Sequence, residues 1–363
     1  MYRSFKVSNF RCFQDLTIPD ISRINLISGA NNIGKTALLE ALFVHSGAYN
    51  PELTMRIDNF RGIRGVKIEF GQWADIPWIS LFRGFDTEKT IEFVGDYEES
   101  GTMTLRLRAI RDPEGLMKIS RLISSYPAAS PGERHISLEA AHVLRFEFVK
   151  PGEDIFEYYM IFGRGWKNPL VLPIPPSLPF KLIFMPARIR PFKEDIERFG
   201  KLETNKRQDV LLRVLRVIEP RLERLSLVKE GDLEMIKGDI GLDRLVPLQL
   251  MGEGIMRIAS LTLAISDAQN GIVLLDEFEN GIHHTILPKI WRVMGEASRQ
   301  FNTQIFATTH SYECIVAAHH AFLESGFNDF RLHRLERKRD IIRAVTYDQN
   351  TLSTSIESGL EVR

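Results

Sequence analysis

Gly29-Ala-Asn-Asn-Ile-Gly34-Lys35-Thr36 is the stretch on which the reading of this chain turns. It fits the pattern G-x-x-x-x-G-K-[ST] in full. An apolar run, Ile24 to Ser28, precedes it and reads as a strand, and an apolar helical stretch from Lys35 to about His45 follows. Strand, glycine loop and helix begin an α/β unit. Glycines let the backbone curl until consecutive N–H groups point at phosphate oxygens, and the start of the helix adds its positive end. Gly29, Asn31, Asn32 and Gly34 would shape that cradle. Lys35 would lie between the β- and γ-phosphates of a nucleotide, and the Thr36 hydroxyl would ligate Mg²⁺. ATP with Mg²⁺ is the expected pair of ligands. The plainer alternative, a glycine-rich turn with an exposed lysine, does not account for the strand before and the helix after.

Two later stretches complete the pattern. Gly271-Ile-Val-Leu-Leu-Asp276-Glu277 reads as a buried central strand of a parallel sheet with two acids at its carboxyl end, where an open α/β sheet places its ligand. Asp276 would hold Mg²⁺ and Glu277 would polarise an attacking water. Acids also favour helix starts, so an N-cap is the competing reading. Gln304-Ile-Phe-Ala-Thr-Thr-His310-Ser311 is a further buried strand, ending in hydroxyls and a histidine on the same edge. A lone histidine there is by itself most simply structural.

The rest of the chain divides around these elements. Phe5 to Asn9 and Leu16 to Ile18 read as short strands. From about Val66 to Phe162, alternating stretches such as Lys67–Phe70, Thr90–Phe93, Thr104–Leu107 and Leu144–Phe148 predict antiparallel strands with one wet face. Seven prolines between Pro169 and Pro191 predict an irregular crossing segment. Leu211, Leu215, Ile218, Leu222 and Leu225 recur at helical spacing and predict one packed helix. Helices over Glu253–Asp267 and His284–Arg299, a helix from Ser311, and a hairpin of Phe330–Leu335 with Ile341–Tyr347 finish the chain. The expected fold is α/β, with a mixed or parallel sheet, an antiparallel β-rich insertion and a short helical lobe. The expected divisions are 1–63, 64–180, 181–240 and 241–363.

Composition narrows the class. Forty-seven basic and 47 acidic residues cancel, so no global charge points to nucleic acid. The two cysteines, Cys12 and Cys314, lie far apart without metal-ligand spacing and read as thiols in a reducing compartment. No run of about 18 apolar residues predicts a membrane span, and the first residues lack the apolar core of a secretion signal. A cytoplasmic protein is expected, with no membrane partner.

These elements, in this order, resemble the ABC-type ATPases of the SMC/RecF/OLD group, often called AAA-family ATPases. The likeness starts at Phe5-Lys-Val-Ser-Asn-Phe-Arg11-Cys-Phe, where the group has an arginine near the nucleotide. Asp276-Glu277 matches the Walker B pair, Asn280-Gly-Ile-His283 the D-loop and His310 the switch histidine. Leu250-Met-Gly252-Glu253-Gly254 stands where the group has its signature motif. The resemblance implies that Gly252, Glu253 and Gly254 cap the γ-phosphate held by a second subunit, so that two ATP molecules are sandwiched in a homodimer. It also implies that Glu277 and His310 are catalytic. The serine of the usual signature has no clear counterpart, because Gln249, Leu250 and Met251 fill the preceding positions; Gln72 stands at a distance suited to a Q-loop.

Within that group, about 215 residues between the glycine loop and the signature motif, without sustained heptads, argue against a coiled-coil tether. Only 53 residues follow His310, too few for an appended nuclease domain. The chain is similar to stand-alone ATPase subunits of two-component antiphage systems, which implies a separately encoded effector such as a nuclease and no nuclease activity of its own. A RecF-like DNA-repair clamp is the main alternative. Two basic stretches keep it open, although their interleaved acids read more simply as a solvated charged face: residues 181–224 hold 12 Lys/Arg against seven Asp/Glu, and 331–343 hold six against two. A transporter motor and a non-hydrolysing scaffold are further alternatives.

Overall fold

The computed structural model describes residues 1–60, 78–125, 142–163, 169–176, 180–187 and 192–363. Strands β1 (Tyr2–Phe10) and β2 (Phe13–Ile18) form a hairpin, and β3 (Ile24–Gly29) leads through the glycine loop into α1 (Lys35–Ser46). After α2 (Leu53–Phe60) come β4 (Ile91–Tyr97), β5 (Gly101–Ile110), α3 (Pro113–Ser125), β6 (His142–Val149), β7 (Phe156–Phe162) and β8 (Leu170–Leu172). The chain continues through β9 (Leu182–Met185), α4 (Phe192–Thr204), α5 (Gln208–Leu215), β10 (Arg224–Glu230), β11 (Leu233–Asp239) and β12 (Val246–Pro247). Its last third holds α6 (Glu253–Asp267), β13 (Ile272–Leu275), α7 (Leu287–Gln300), β14 (Gln304–Thr308) and α8 (Tyr312–Ser325). The hairpin β15 (Phe330–Lys338) and β16 (Ile341–Tyr347) follows, and then α9 (Gln349–Glu357).

Two sheets enclose α1. One has the order β16-β15-β3-β14-β13-β9, parallel except for the edge strand β16. Its central strands are buried along their whole length, as a parallel sheet covered on both faces requires. Their residues divide by parity. Leu26, Val273, Leu275, Ile305 and Ala307 face a core shared with α6, α7 and α8. Ile27, Ile272, Leu274 and Phe306 face α1 and the second sheet. That second sheet is antiparallel, in the order β2-β1-β4-β5-β6-β7-β8. In β4, buried Ile91, Phe93, Gly95 and Tyr97 alternate with half-buried neighbours, the period of a one-sided sheet. On its outer face α3 packs Ile119 and Ile123 against Val143 and Ile161.

Because both sheets cover it, α1 is buried from Ala37 to Ser46 with no wet stripe. Its polar residues therefore need internal partners. Glu40 is paired with Arg11 Nε at 2.8 Å. The Tyr2 hydroxyl meets His45 Nδ1 at 2.5 Å and Ser46 Oγ at 2.9 Å.

Some expectations change here. Residues 1–63 and 64–180 are not separate in hydrogen bonding, since β1 pairs with β4. Segment 181–240 contributes β9 to the parallel sheet besides its helices. The Leu211-to-Leu225 stripe is not one helix. Only Leu211 and Leu215 are helical; the chain turns through Glu219-Pro220, and Leu225 pairs with Gly238 in the hairpin β10–β11. Proline ends helical continuity there, yet Leu211, Leu215, Leu222 and Leu225 are all buried, so the spacing reported burial. Helix α9 was not expected from its sparse apolar pattern; Asp348 caps it by accepting from the Thr351 N–H at 2.8 Å. The predicted strand Lys67–Phe70 and the Q-loop candidate Gln72 lie outside the described residues.

Two buried histidines give the fold a testable acid response. His333 joins the sheet by contacts with Thr346 Oγ1 at 2.9 Å and Asn25 Oδ1 at 3.2 Å. Burial pushes its pKa down to about 3 and that of His45 to about 4. Both stay neutral in the fold, so the unfolded chain takes up protons first. Stability then falls as pH drops below the ordinary histidine value, about 6.5, until the folded-state values are reached. Each should cost about 1 kcal/mol between about pH 7.5 and about pH 5.5. Chemical denaturation at those two pH values checks this, and an unchanged midpoint would show that the histidines protonate in the fold without penalty.

Candidate active site

The parallel register brings the predicted residues to one edge. Ala307 pairs with Leu26 on one side and Leu275 on the other, so the loops after β3, β13 and β14 leave side by side. The glycine loop needs its glycines. Gly29 has φ 136° and a Cβ there would stand 2.5 Å from the Leu335 carbonyl oxygen. Gly34 has φ 108° and a Cβ there would meet Cys12 Sγ at 2.7 Å. Asn32 also takes a left-handed φ of 60°. Gly34 caps α1 without a side-chain partner, leaving the helix-start N–H groups for a ligand. The Lys35 ammonium folds back on the loop, donating to the carbonyls of Gly29 at 2.7 Å and Ala30 at 3.1 Å. Burial lowers its pKa, while the charges of Asp276, Glu279 and Glu277 oppose that shift.

The acids are held with similar economy. Thr36 Oγ1 donates toward both carboxylate oxygens of Asp276 at 3.1 Å. Thr308 Oγ1 donates to Asp276 Oδ1 at 2.7 Å and accepts the Glu277 N–H at 2.8 Å. Glu277 has φ 51°, a conformation costing on the order of 1 kcal/mol in a non-glycine residue and kept where surrounding contacts impose it. Asn280 Nδ2 donates to Glu277 Oε2 at 2.6 Å. Arg257, from α6, donates to the carbonyls of Asp276 at 2.9 Å and Glu277 at 3.2 Å. His310 donates its N–H to Glu279 Oε1 at 3.0 Å, and its Nδ1 lies 3.3 Å from the same oxygen.

An open cleft of about 560 Å³ gathers these groups. Asn31, Asn32, Gly34, Lys35 and Thr36 line one wall, and Asp276, Glu277, Thr308 and His310 another. Arg11 lines it too, although its Nε is committed to Glu40. Gly29 lines a neighbouring cavity of about 510 Å³ with His310 and Arg363. Gly252, Glu253 and Gly254 do not line the cleft of their own chain. They start α6, where a Cβ on Gly254 would stand 2.9 Å from the Gly281 carbonyl oxygen. A larger cavity, about 720 Å³, lies at the amino ends of the strands, beside Arg23, Gly271 and Gln304, away from the glycine loop.

Sequence reasoning passed over Thr308, Glu279 and Arg257 as site residues, and gave Asn280 only as part of the D-loop match. Only Arg257 carried a clear signal, as the lone charged residue of the stretch Ile255–Ile265. Thr308 generates a prediction, because its one hydroxyl serves both acids. Thr308→Val keeps the volume and leaves a carboxylate oxygen and an N–H without that partner, a loss worth about 1–3 kcal/mol. Nucleotide turnover should fall on the order of tenfold. Phosphate release in the folded variant measures it, and wild-type turnover would show the hydroxyl to be dispensable.

Comparison with known proteins agrees with this geometry. Residues 170–315 match the family described as "AAA domain, putative AbiEii toxin, Type IV TA system", and residues 1–58 match an AAA ATPase domain. The first match holds Asp276, Glu277 and His310, and the second holds Lys35. The chain is similar to the "ATP/GTP phosphatase" of Helicobacter pylori, 23% identical over 348 residues and 90% of each chain. Among solved structures it is similar to an SMC head bound to the C-winged helix domain of ScpA, 12% identical over 98% of this chain and 99% of that one, TM-score 0.49. The SMC head of Thermotoga maritima is 13% identical over 95% and 98%, TM-score 0.41. The two ATPase-domain matches thus hold the residues on both walls of the cleft, which is the cleft of an ATPase.

Proposed function

We propose that the chain hydrolyses ATP with Mg²⁺ in this cleft, pairs with a second copy to do so, and governs a separately encoded effector, in antiphage defence. The observation that carries the catalytic part is the direct contact of Thr36 with Asp276 and the Thr308 hydroxyl that joins Asp276 to the Glu277 N–H. The donors suit magnesium: a hydroxyl and a carboxylate, both hard oxygens. No cluster of three or more His, Cys, Asp or Glu among the described residues forms a protein-only cage. A cation that keeps several waters and binds substrate phosphates needs none. Bound there, it would neutralise charge on the β- and γ-phosphates.

Lys35 would exchange its two carbonyl contacts for phosphate oxygens, a stronger partner for an ammonium. Glu277 would accept the proton of the attacking water, with Asn280 holding its second oxygen. His310, half exposed and tied to Glu279, would face the γ-phosphate. The signature residues support pairing by their position: Gly252 and Glu253 are exposed at a helix start outside their own cleft, and the neighbouring Leu250 is 76% exposed. The family description naming a toxin of a two-gene system supports a role with a second gene product. A cytoplasmic setting belongs to the same reading, with Cys12 and Cys314 outside any disulfide. Some of the basic residues on which the DNA-repair alternative drew are paired with acids. Lys181, Lys201 and Arg198 all meet Asp267, and Arg224 meets Asp239.

Lys35→Ala should abolish ATP binding by calorimetry. Glu277→Gln should bind ATP, turn over on the order of a hundredfold more slowly and accumulate as a dimer in size-exclusion chromatography. Turnover near wild type removes Glu277 from the general-base role, and a monomer at saturating ATP removes the paired site.

A further inference from the structure

We infer that Phe85 is the platform on which the purine base of the nucleotide stacks. The inference rests on the cleft being a nucleoside triphosphate site. The two ends of that cleft differ. Asp276, Glu277 and His310 crowd one end, where the attack on the terminal phosphate must occur, and Lys35 serves the β- and γ-phosphates. The nucleoside therefore leaves in the other direction, past Thr36 and Ala37. The wall there is built by Arg11, Cys12, Ser80, Phe82, Gly84 and Phe85.

Phe85 is the large hydrophobic side chain exposed in that wall among the described residues, 61% open to solvent. Its neighbours Trp78 and Phe82 are buried, so apolar burial was available to this segment and Phe85 stands outside it. The exposure is not slackness. The turn is pinned by the Arg11 N–H donating to the Leu81 carbonyl at 2.7 Å, by the bridge between Phe10 and Phe82, and by the Phe85 N–H donating to the Phe82 carbonyl at 3.1 Å. Gly84 and Phe85 both adopt left-handed backbone, with φ 63° and 60°. A bulky residue rarely takes that conformation, and such residues gather at ligand sites. A rigid ring with a wet face at the nucleoside end matches a flat aromatic ligand, because every base has a π-face to offer.

The experiment compares MgATP, MgGTP and magnesium tripolyphosphate, which has the phosphates without the nucleoside, on wild type, Phe85→Ala and Phe85→Trp. Phe85→Ala should weaken ATP and GTP by about tenfold, the worth of a stacking contact, and leave tripolyphosphate affinity unchanged. Phe85→Trp should bind both nucleotides at least as tightly as wild type. Wild-type nucleotide affinity in Phe85→Ala overturns the proposal, and so does an equal loss of all three ligands, which would make Phe85 a structural residue of the turn. A wild-type protein that binds none of them overturns the nucleotide reading itself and this proposal with it.

Discussion

A helix without a wet face is the constraint from which the rest of the architecture follows. Helix α1 is buried from Ala37 to Ser46, so it must be clasped by apolar surface on all sides. The parallel sheet supplies one side through Ile27, Leu274 and Phe306, and the antiparallel sheet supplies the other through Phe5, Val7, Phe93 and Phe146. A helix so clasped cannot shift along its axis without disturbing two sheets. Its first turn is therefore a fixed reference for the glycine loop. Gly34 extends that clasp to the loop, since a side chain there would collide with Cys12 and Phe13 of the first hairpin.

From that reference the acids are placed by small polar groups. Thr36, on the helix, reaches Asp276 at the end of one strand, and Thr308, at the end of the next, reaches both Asp276 and the backbone of Glu277. Short hydroxyl side chains have few rotamers, so they fix distance at low entropic cost. The strained backbone of Glu277 is held by the same contacts and by Arg257. Lys35 completes the balance, as a partly buried cation satisfied by loop carbonyls and facing three carboxylates.

Much of this was legible in the chain because its strongest signals are local. A glycine loop between a strand and a helix, and uninterrupted apolar runs ending in Asp276-Glu277 and Thr309-His310, state both element type and position. What could not be read depends on partners distant in sequence. That β1 pairs with β4, about 80 residues away, is not marked by any local signal in its residues. The leucines from Leu211 to Leu225 report burial faithfully but not the turn at Pro220 that sends the last of them into a strand. Arg11 was expected beside the nucleotide, and it does line the cleft, but its guanidinium also offsets the buried Glu40. Phe85 and Thr308 gain meaning only once the cleft around them exists.

Arg257 sits one turn into the helix that Gly252 caps, and it grips the carbonyls of Asp276 and Glu277. The exposed start of that helix and the two acids are thus linked like the handle and jaw of one tool. Force on the handle arrives at the jaw through a single turn of helix, about 5.4 Å of rigid backbone. Energetic coupling between two sites is reciprocal. If docking at the handle improves the setting of the acids, the setting of the acids by nucleotide strengthens docking by the same factor. A surface outside the cleft's own walls can in this way act as a gauge of what the cleft holds.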